Sequence, residues 1–434
     1  MKIILFAFDL FHQYVLSLVF FVMSFFSSKI KKRIQDELDF SGDSHVDTDG
    51  EVIRTYEFSS EGEFQQVYAL FEEDLNAGKK TELLFCSSSA IGVVRKLNHP
   101  LLSCRMLPLL THGPYYGRKR SLYSWSQSKE LVLCRYDFFP HLLLLGLKKE
   151  KMSLVNAAMT SNKSFFYRFF LRMAYPLFHH LSFVSEEEKE KFLDFMKRED
   201  LKVSVCDLRI LSILKRKEKK TKRAIYLHLE NFFEREKEKK KVIWGNFWSE
   251  DYFLLDGEEH FKKDKKRIHF IVPHDTSNEA IENDLKYLEY LKNKYGCSFQ
   301  HLKEDTSMIE ANCSIYYLPL RGILLELYSF FDFAYVGGGY KKEGIHSLYE
   351  PFFSGCLVIC GPNIHRSVEY NRLKSFAVEG LLMALKEEES KEAHCQQVIS
   401  FMKDENLVVL AEKKRQVISK LVSMSKIEMS EDVG

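Results

Sequence analysis

The feature that most constrains the fold is a regular alternation of short apolar runs with helical patterns. From residue 51 onward, EVIRTYEF predicts a strand, and EFQQVYALFEEDLNAG predicts a helix with the apolar stripe Phe64, Val67, Phe71 and Leu75. Further strands are predicted at ELLFCSS, LVLCRYD, MSLVNA and LSFVS, and then at KVIWGN, RIHFIVPH, CSIYYLP, DFAYVGG and CLVICGP. Such alternation is typical of α/β proteins whose parallel sheets carry helices on both faces. The 434 residues are enough for two doubly wound domains, which we expect to face each other across a cleft.

The first 33 residues have a different character. The stretch IILFAFDLFHQYVLSLVFFVMSFF is long enough to cross a bilayer, which takes about 20 apolar residues, although Asp9, His12 and Gln13 interrupt it. No small-residue cleavage site follows, so a secretory signal peptide is disfavoured. A spanning anchor and a helix lying in the membrane interface both remain open. The basic residues at 29–33 predict a cytoplasmic body, because positive charge tends to stay on that side.

Charge runs suggest where the domains begin and end. The acidic, polar stretch DELDFSGDSHVDTDG predicts a linker at 34–50. The runs KRKEKKTKR and EREKEKKK predict a basic linker at 215–241, or alternatively lysines that contact anionic lipid headgroups. We therefore expect a membrane anchor at 1–33, a first domain at 51–214 and a second domain at 242–434.

Composition narrows the class of partner. The formal net charge of +2 gives no field that would favour nucleic acid. The nine cysteines are scattered, form no CxxC pair and mostly lie in apolar runs, where cysteine behaves as a small hydrophobe. This pattern favours a reducing compartment over a disulfide framework or structural zinc. The sequence shows no convincing metal-ligand cluster, and we expect no metal and no other cofactor.

Candidate functional residues follow from the fold. In doubly wound sheets, ligands bind beyond the carboxyl ends of the strands, so the residues just past each predicted strand are candidates. These residues are Ser60, Gly62, Glu63, Asp137, Asn156, Arg209, Gly245, His274, Gly337, Gly338, Gly339 and the Gly361–Pro362 turn.

The segment SSEGE supports two roles for one carboxylate. Gly62 permits a tight turn from strand to helix, and Glu63 falls in the first turn of that helix. There it complements the helix dipole and, with Ser60 three residues earlier, forms a capping box. At the bottom of a cleft, the same carboxylate could instead accept a proton from a sugar hydroxyl. Both roles remain open.

The segment GGGYKKEGIHSLYEP predicts a nucleotide site. The glycines at 337–339 let a ligand approach the main chain, and a helix beginning near His346 would point its amide groups at a phosphate. Lys341 and Lys342 add positive charge. Glu350, four residues after His346, shares its helical face and could hold ribose hydroxyls, with a surface salt bridge as the alternative.

In their order, these motifs resemble those of the 3-deoxy-D-manno-octulosonic acid (Kdo) transferases, which build the inner core of lipopolysaccharide. That family has a GG-rich strand end, a G-x-H-N-x-x-E-P helix start and a G-P turn, and this chain has GGGY, GIHSLYEP and CGP. EFSSEGEFQQ looks like the family's H-A-x-S-x-G-E loop, and CRYDFFPHLL like its E-x-W-P segment. LVNA, CDLR, WGNFW and FIVPH look like its L-V-N-A-R, G-D-x-R, G-S-x-W and A-P-R-H segments.

The resemblance implies a GT-B type glycosyltransferase with two facing Rossmann-like domains and an N-terminal anchor at the cytoplasmic face of the inner membrane. It implies an inverting, metal-independent transfer of Kdo from CMP-Kdo to a lipid A precursor. Glu63 matches the catalytic base, and Asp137 stands where the family has an essential glutamate. The residues that match the donor-binding region are Arg209, Gly245, His274, Gly337, Gly338, Gly339, His346, Ser347 and Glu350. The residues on the acceptor side are Ser60 and Gly62.

Departures from the family pattern leave two alternatives. Ala158 stands in place of the arginine of N-A-R, which removes a bidentate partner for a carboxylate or phosphate, and Ser347 replaces an asparagine. One alternative is a related transferase that uses another sugar nucleotide or acceptor. The other is a non-catalytic membrane scaffold that keeps the same fold.

Overall fold

The computed structural model divides into two compact units. Residues 1–212 with 423–434 form the first unit, and residues 213–422 form the second. The structure describes residues 2–41, 51–116, 121–135, 139–159, 164–198, 200–218, 223–257, 267–342, 344–365, 367–376, 379–402 and 407–430.

The first unit is built on a seven-stranded parallel sheet. Its strands are β1 Val52–Phe58, β2 Lys80–Phe85, β3 Leu102–Met106, β4 Glu130–Cys134, β5 Lys151–Ala157, β6 His180–Phe183 and β7 Val203–Val205, in the order β3-β2-β1-β4-β5-β6-β7. Its helices are α1 Lys2–Phe11, α2 Ser17–Met23, α3 Ser28–Asp39, α4 Glu61–Asn76, α5 Ile91–Val94, α6 Leu122–Trp125, α7 Pro140–Gly146, α8 Phe165–Ala174 and α9 Glu186–Met196, followed by the start of α10 Leu208–Glu218, whose residues from 213 onward belong to the second unit. A π-helix at His12–Leu16 joins α1 to α2.

Each face of this sheet carries its own hydrophobic core. Along β4, Leu131 and Leu133 join the cluster under α7 and α8, whereas Val132 and Cys134 join the cluster under α4. Side chains of a strand point alternately to opposite faces, so a strand covered on both faces is mostly apolar. This is why most strands of this chain read as apolar runs, although β1 also buries Arg54, Thr55 and Glu57.

The second unit repeats the architecture. Its strands are β8 Lys240–Phe247, β9 Arg267–Pro273, β10 Phe299–His301, β11 Ile315–Tyr317, β12 Phe333–Val336, β13 Leu357–Cys360 and β14 Leu382–Ala384, in the order β10-β11-β9-β8-β12-β13-β14. Its helices are α11 Ala224–Arg235, α12 Asn278–Tyr295, α13 Leu324–Tyr328, α14 Tyr349–Ser354, α15 Val368–Lys374 and α16 Lys391–Phe401, and α17 spans Leu407–Ser430. The prediction of an α/β protein with two doubly wound sheets is confirmed.

Both predicted linkers contain packed helix. Within 215–241, α11 buries Ile225, Leu229 and Phe232 in the core of the second unit, so the linker prediction is wrong there. The spacing of these apolar residues outweighs the lysine runs on either side of them. Within 34–50, α3 continues to Asp39 and buries Glu37, while residues 42–50 lie outside the described residues.

A cluster of three buried histidines lies beneath the N-terminal helix. The ring centroids of His12, His112 and His141 are 5.4 to 5.5 Å apart, and Asp9 Oδ1 accepts a hydrogen bond from His112 Nε2 at 2.9 Å. Burial lowers the pKa of His141 to about 3 and also lowers the pKa of His12. The ring of His141 is therefore neutral in the folded protein at mildly acidic pH.

We expect this cluster to make the protein less stable in mild acid. Below about pH 6.5, the unfolded chain binds a proton at His141 that the folded chain does not, so the free energy of unfolding falls as the pH falls; the lowered pKa of His12 acts in the same direction. His141→Leu should shrink the loss of melting temperature between pH 7.5 and pH 5, because it removes the ring that takes up a proton on unfolding. Leucine should be tolerated, since Nε2 of His141 makes no hydrogen bond with the described residues. The exposed His365 provides the control His365→Leu, which should leave the loss as it is in the parent. An equal pH dependence in all three proteins would contradict this account.

Candidate functional site

Glu63, Gly245 and Gly337 lie at the point in each sheet where the strand order reverses. In the first sheet this point is between β1 and β4, and in the second it is between β8 and β12. Ligands of doubly wound sheets bind at such switch points, beyond the carboxyl ends of the strands. Glu63 follows β1, Gly245 lies near the end of β8, and Gly337 follows β12 directly. We call the first group, around Glu63, the carboxylate site, and the second group, around Gly337, the glycine-turn site.

At the carboxylate site, Glu63 is fixed by two contacts. Its Oε2 accepts a hydrogen bond from the backbone N–H of Ser59 at 2.7 Å, and its Oε1 lies 4.0 Å from Nη1 of Arg135. Only 7% of Glu63 is exposed. Arg135 follows β4 and has a φ of 68°, a left-handed conformation that non-glycine residues seldom adopt outside functional positions. Helix capping therefore accounts for one carboxylate oxygen, and the other faces the cation at the switch point.

One local prediction about this segment is wrong. Ser60 is the N-cap residue of α4 but makes no side-chain capping bond, so the capping box is incomplete. A Cβ added to Gly62 would meet no atom closer than Ser60 Oγ at 3.9 Å, so the turn does not require glycine at this position. The structure places Ser60 and Gly62 beside Glu63 in the chain without giving either of them a steric or capping role.

The remaining candidates of the first unit are tied to the fold. Asn156 has a φ of 56°, donates to Gln66 Oε1 and accepts from the N–H of Leu208 at 3.2 Å, which joins β5 to α4 and α10. Arg209 donates through Nε and Nη2 to both oxygens of the buried Asp207, at 2.8 and 2.7 Å. Such a bidentate pair fixes the plane of the guanidinium group. Asp137 lies outside the described residues.

In the glycine-turn site, the glycines allow close packing of main chain against main chain. A Cβ on Gly337 would lie 2.0 Å from the carbonyl oxygen of Asn246, and a Cβ on Gly339 would lie 2.4 Å from Cα of Gly361. Gly338 has a φ of +93°, and a Cβ on Gly245 would lie 2.3 Å from the hydroxyl of Tyr328. The sequence interpretation assigned the space at 337–339 to a ligand, whereas the structure fills it with neighbouring residues.

We therefore expect Gly339→Ala to destabilise the second unit strongly. Neither backbone can yield without moving β12 or β13, and overpacking of this kind costs about 1–3 kcal/mol or more. Gly62→Ala is the matched control, since its Cβ has space and replacing a helical glycine stabilises by up to about 1 kcal/mol. Urea denaturation of both variants measures the difference. A Gly339→Ala protein as stable as the parent would show that the turn can be rearranged.

The segment after the glycines differs from its prediction. The helix begins at Tyr349, so His346 precedes it and does not share a helical face with Glu350. The carboxylate of Glu369 accepts the N–H groups of Leu348 at 2.7 Å and Tyr349 at 3.0 Å, and the hydroxyl of Ser347 at 3.1 Å. The amide groups predicted to bind a phosphate thus bind a carboxylate of the chain itself.

Three flat rings stack beside this segment. The ring of His274 lies 4.1 Å from that of Trp248 and 4.5 Å from that of His346, measured between centroids. Burial lowers the pKa of His346 to about 4, and burial also lowers the pKa of His274, so both imidazoles are neutral at pH 7. The ammonium group of Lys341 lies 3.8 Å from the centroid of Trp248 and 3.1 Å from a carboxylate oxygen of Glu250. The stack offers a planar surface and neutral ring nitrogens that can exchange hydrogen bonds with hydroxyl groups.

Glu350 is paired with a cation. Its Oε1 lies 3.1 Å from Nη1 of Arg216, and burial raises the pKa of Glu350 above its ordinary value despite this partner. The salt bridge that the sequence left open is therefore present, although it is half-buried and not on the surface. Among the described residues, no group of three or more His, Cys, Asp or Glu side chains is placed to hold a metal ion.

Comparison with known proteins shows partial sequence similarity to glycosyltransferases. No protein-family model matches the chain. It is 29% identical over 176 residues to the 3-deoxy-D-manno-octulosonic acid transferase of Chlamydia muridarum, which covers 38% of this chain and 39% of that protein. It is 26% identical over 310 residues to a bifunctional glycosyltransferase/methyltransferase of Fusobacterium nucleatum, which covers 65% of this chain and 44% of that protein. The chain thus spans less than half the length of these relatives, and the predicted resemblance to Kdo transferases is confirmed at that level.

Solved structures share the fold over nearly the whole chain. HepE of Anabaena in complex with UDP superposes with a TM-score of 0.52 at 11% identity, covering 88% of this chain and all but 1% of that one. A glycosyltransferase of Rickettsia africae gives a TM-score of 0.51 at 10% identity, covering 89% of this chain and 97% of that one. At such identities the match establishes the GT-B type architecture only.

Proposed function

We propose that this protein, which resembles Kdo transferases in sequence and glycosyltransferases in fold, transfers Kdo from CMP-Kdo to a lipid A precursor. The observation that carries the proposal is the position of Glu63. The one carboxylate that matches the family's base also lies at the switch point of its sheet, buried and beside Arg135. The partial match to a Kdo transferase supports the choice of sugar.

In the proposed reaction, Glu63 takes the proton from an acceptor hydroxyl. The hydroxyl oxygen then forms a bond to the anomeric carbon of Kdo while the bond from that carbon to the phosphate oxygen of CMP breaks. CMP leaves with the electron pair, and attack opposite to the leaving group inverts the anomeric centre. A positioned base of this kind typically contributes about 10²–10⁴-fold to the rate.

Donor binding is assigned to the glycine-turn site and to Arg209. The stacked rings of Trp248, His274 and His346 supply the planar surface, and Lys341 supplies positive charge. Asp207 sets the plane of the Arg209 guanidinium group, and a planar guanidinium group suits recognition of a carboxylate or phosphate. No metal is needed in this scheme, because fixed cations can stabilise the developing charge on the phosphate.

Incubation of the purified protein with CMP-Kdo and a lipid A precursor tests the proposal. The expected result is a product heavier than the precursor by one or more Kdo residues in mass spectrometry. Binding titrations with CMP and UDP separate the first alternative, because a clear preference for uridine would end the assignment of Kdo as the donor sugar. The absence of any transfer together with retained nucleotide binding would favour the non-catalytic scaffold.

We propose that the protein is located at the cytoplasmic face of the inner membrane. The exposed side chains of Lys29, Lys31 and Lys32 follow the apolar N-terminal helix, and positive residues flanking such a helix tend to stay in the cytoplasm.

A further inference from the structure

The N-terminal helical segment, residues 2–23, has its polar side turned towards the protein. By length and composition it is apolar enough to cross a membrane. Its buried residues are Leu5, Asp9, His12 and Ser17, which form one stripe along the segment. The opposite side is exposed and apolar, and it includes Ile4, Phe8, Phe11, Val15, Leu18 and Val22.

The polar stripe makes most of its hydrogen bonds to one stretch of the first unit, residues 107–116, which we call the docking segment. Asp9 also accepts a hydrogen bond from the hydroxyl of Tyr123 at 2.7 Å. Asp9 Oδ1 accepts from His112 Nε2 at 2.9 Å, and Nε2 of His12 lies 2.7 Å from the carbonyl oxygen of Leu109. The hydroxyl of Tyr115 donates to the carbonyl oxygen of Tyr14 at 3.0 Å. Asp9 and His12, two of the residues that interrupt the apolar sequence, thus have partners in the folded domain.

The next helix, α3, binds the same docking segment. The carboxylate of Glu37 accepts the N–H of Leu110 at 3.0 Å and the N–H of Thr111 at 2.9 Å. Arg33 donates to the carbonyl oxygen of Leu107 at 3.5 Å. The chain on both sides of residues 24–27 is therefore fastened to one loop, which restrains how far the helical segment can swing away from the domain.

The length of the contact decides between the two modes of membrane attachment. Leu5 is buried in the core cluster that contains α7 and α8, and the ring of Phe21 packs against Tyr115 and Tyr116. From residue 5 to residue 21 the segment covers about 24 Å at 1.5 Å per residue. The hydrocarbon core of a bilayer is about 30 Å thick, so a helix that crosses it would have to leave nearly all of this contact.

We infer that the segment 2–23 does not cross the bilayer but lies in its plane, with the polar stripe on the docking segment and the apolar side among lipid chains. The lipid partner is an anionic bilayer surface, because exposed cations lie beside the apolar residues. Lys29, Lys31 and Lys32 are exposed in α3, and α8 exposes Phe165, Phe166 and Phe169 together with Arg168 and Arg172. Exposed aromatic residues next to basic ones are typical of helices that insert into the headgroup boundary.

The inference does not depend on the proposed reaction, and its test needs no activity. Single cysteines are introduced by Lys2→Cys and Lys29→Cys and labelled with a membrane-impermeant maleimide in sealed vesicles of known orientation. The in-plane arrangement places both cysteines on the same side, so they react or stay protected together. Reaction of the two from opposite sides would overturn the inference. The parent protein gives the background from its own cysteines, seven of which are buried.

Vesicle flotation tests the lipid contact itself. With vesicles of phosphatidylethanolamine and phosphatidylglycerol, the double variant Phe11→Glu with Val22→Glu should bind roughly tenfold or more weakly, since apolar burial drives such insertion. Met308→Glu changes an even more exposed apolar residue of the second unit and should leave binding unchanged. Circular dichroism verifies that each variant is folded. Unchanged binding of a folded double variant would show that the apolar side does not enter lipid.

Discussion

Glu63→Gln should reduce transfer from CMP-Kdo by about 10²–10⁴-fold, the range that a positioned general base contributes. The amide has the shape of the carboxylate, and its oxygen can still accept the N–H of Ser59 that Oε2 accepts in the parent. It cannot take a proton at neutral pH. The fold and the affinity for CMP should therefore survive while kcat falls. Steady-state kinetics, melting temperature and CMP titration on the same preparation measure the three quantities.

Two further variants separate catalysis from helix capping. Glu61→Gln removes an exposed carboxylate from the same helical turn and should leave transfer close to that of the parent. Glu63→Ala removes the capping contact as well as the base, so it should lose activity and also about 0.5–2 kcal/mol of stability. If Glu63→Gln transferred Kdo as fast as the parent, the residue would keep only its capping role and the proposed mechanism would fail.

The sequence allowed the fold and the carboxylate site to be predicted because both depend on local patterns. Continuous apolar runs indicate strands covered on two faces, and the position of Glu63 in a first helical turn follows from its neighbours in the chain. The sheet order is not local. The pairing of Arg54 with Glu130 across β1 and β4 joins residues 76 positions apart, and it is this pairing that puts Glu63 at a switch point.

The parts that sequence reasoning missed depend on contacts between distant residues. The stack of Trp248 with His274 and His346 could not be predicted from the sequence, because the three rings come from three different loops. Glycines at 337–339 indicate a close approach, but only the structure shows that Asn246 and Gly361 make it. The lysine runs led to a wrong linker prediction at 224–235, because the helical spacing of the few apolar residues between them is a weaker sequence signal than the lysines.

Glu369 is the residue with the largest unforeseen role, and its removal tests the donor site. Glu369→Ala leaves two backbone N–H groups and the hydroxyl of Ser347 without this acceptor, at about 1–3 kcal/mol for each buried group. We expect a less stable second unit and weaker binding of CMP, because the segment that carries His346 loses its anchor. Urea denaturation and calorimetric titration with CMP measure the two effects.

The matched control is Glu392→Ala, which removes an exposed carboxylate from the first turn of α16 and should change neither quantity. Glu369→Gln keeps one acceptor oxygen and should fall between the parent and the alanine variant. Whether Glu369→Ala binds CMP more tightly or more weakly than the parent decides between two roles for this carboxylate. Tighter binding by Glu369→Ala would mean that the carboxylate competes with a phosphate for the same amide groups, and the helix start would then be the phosphate site that the sequence first suggested. Weaker binding would assign Glu369 to positioning of the segment that carries His346, and the helix start would then not be the phosphate site.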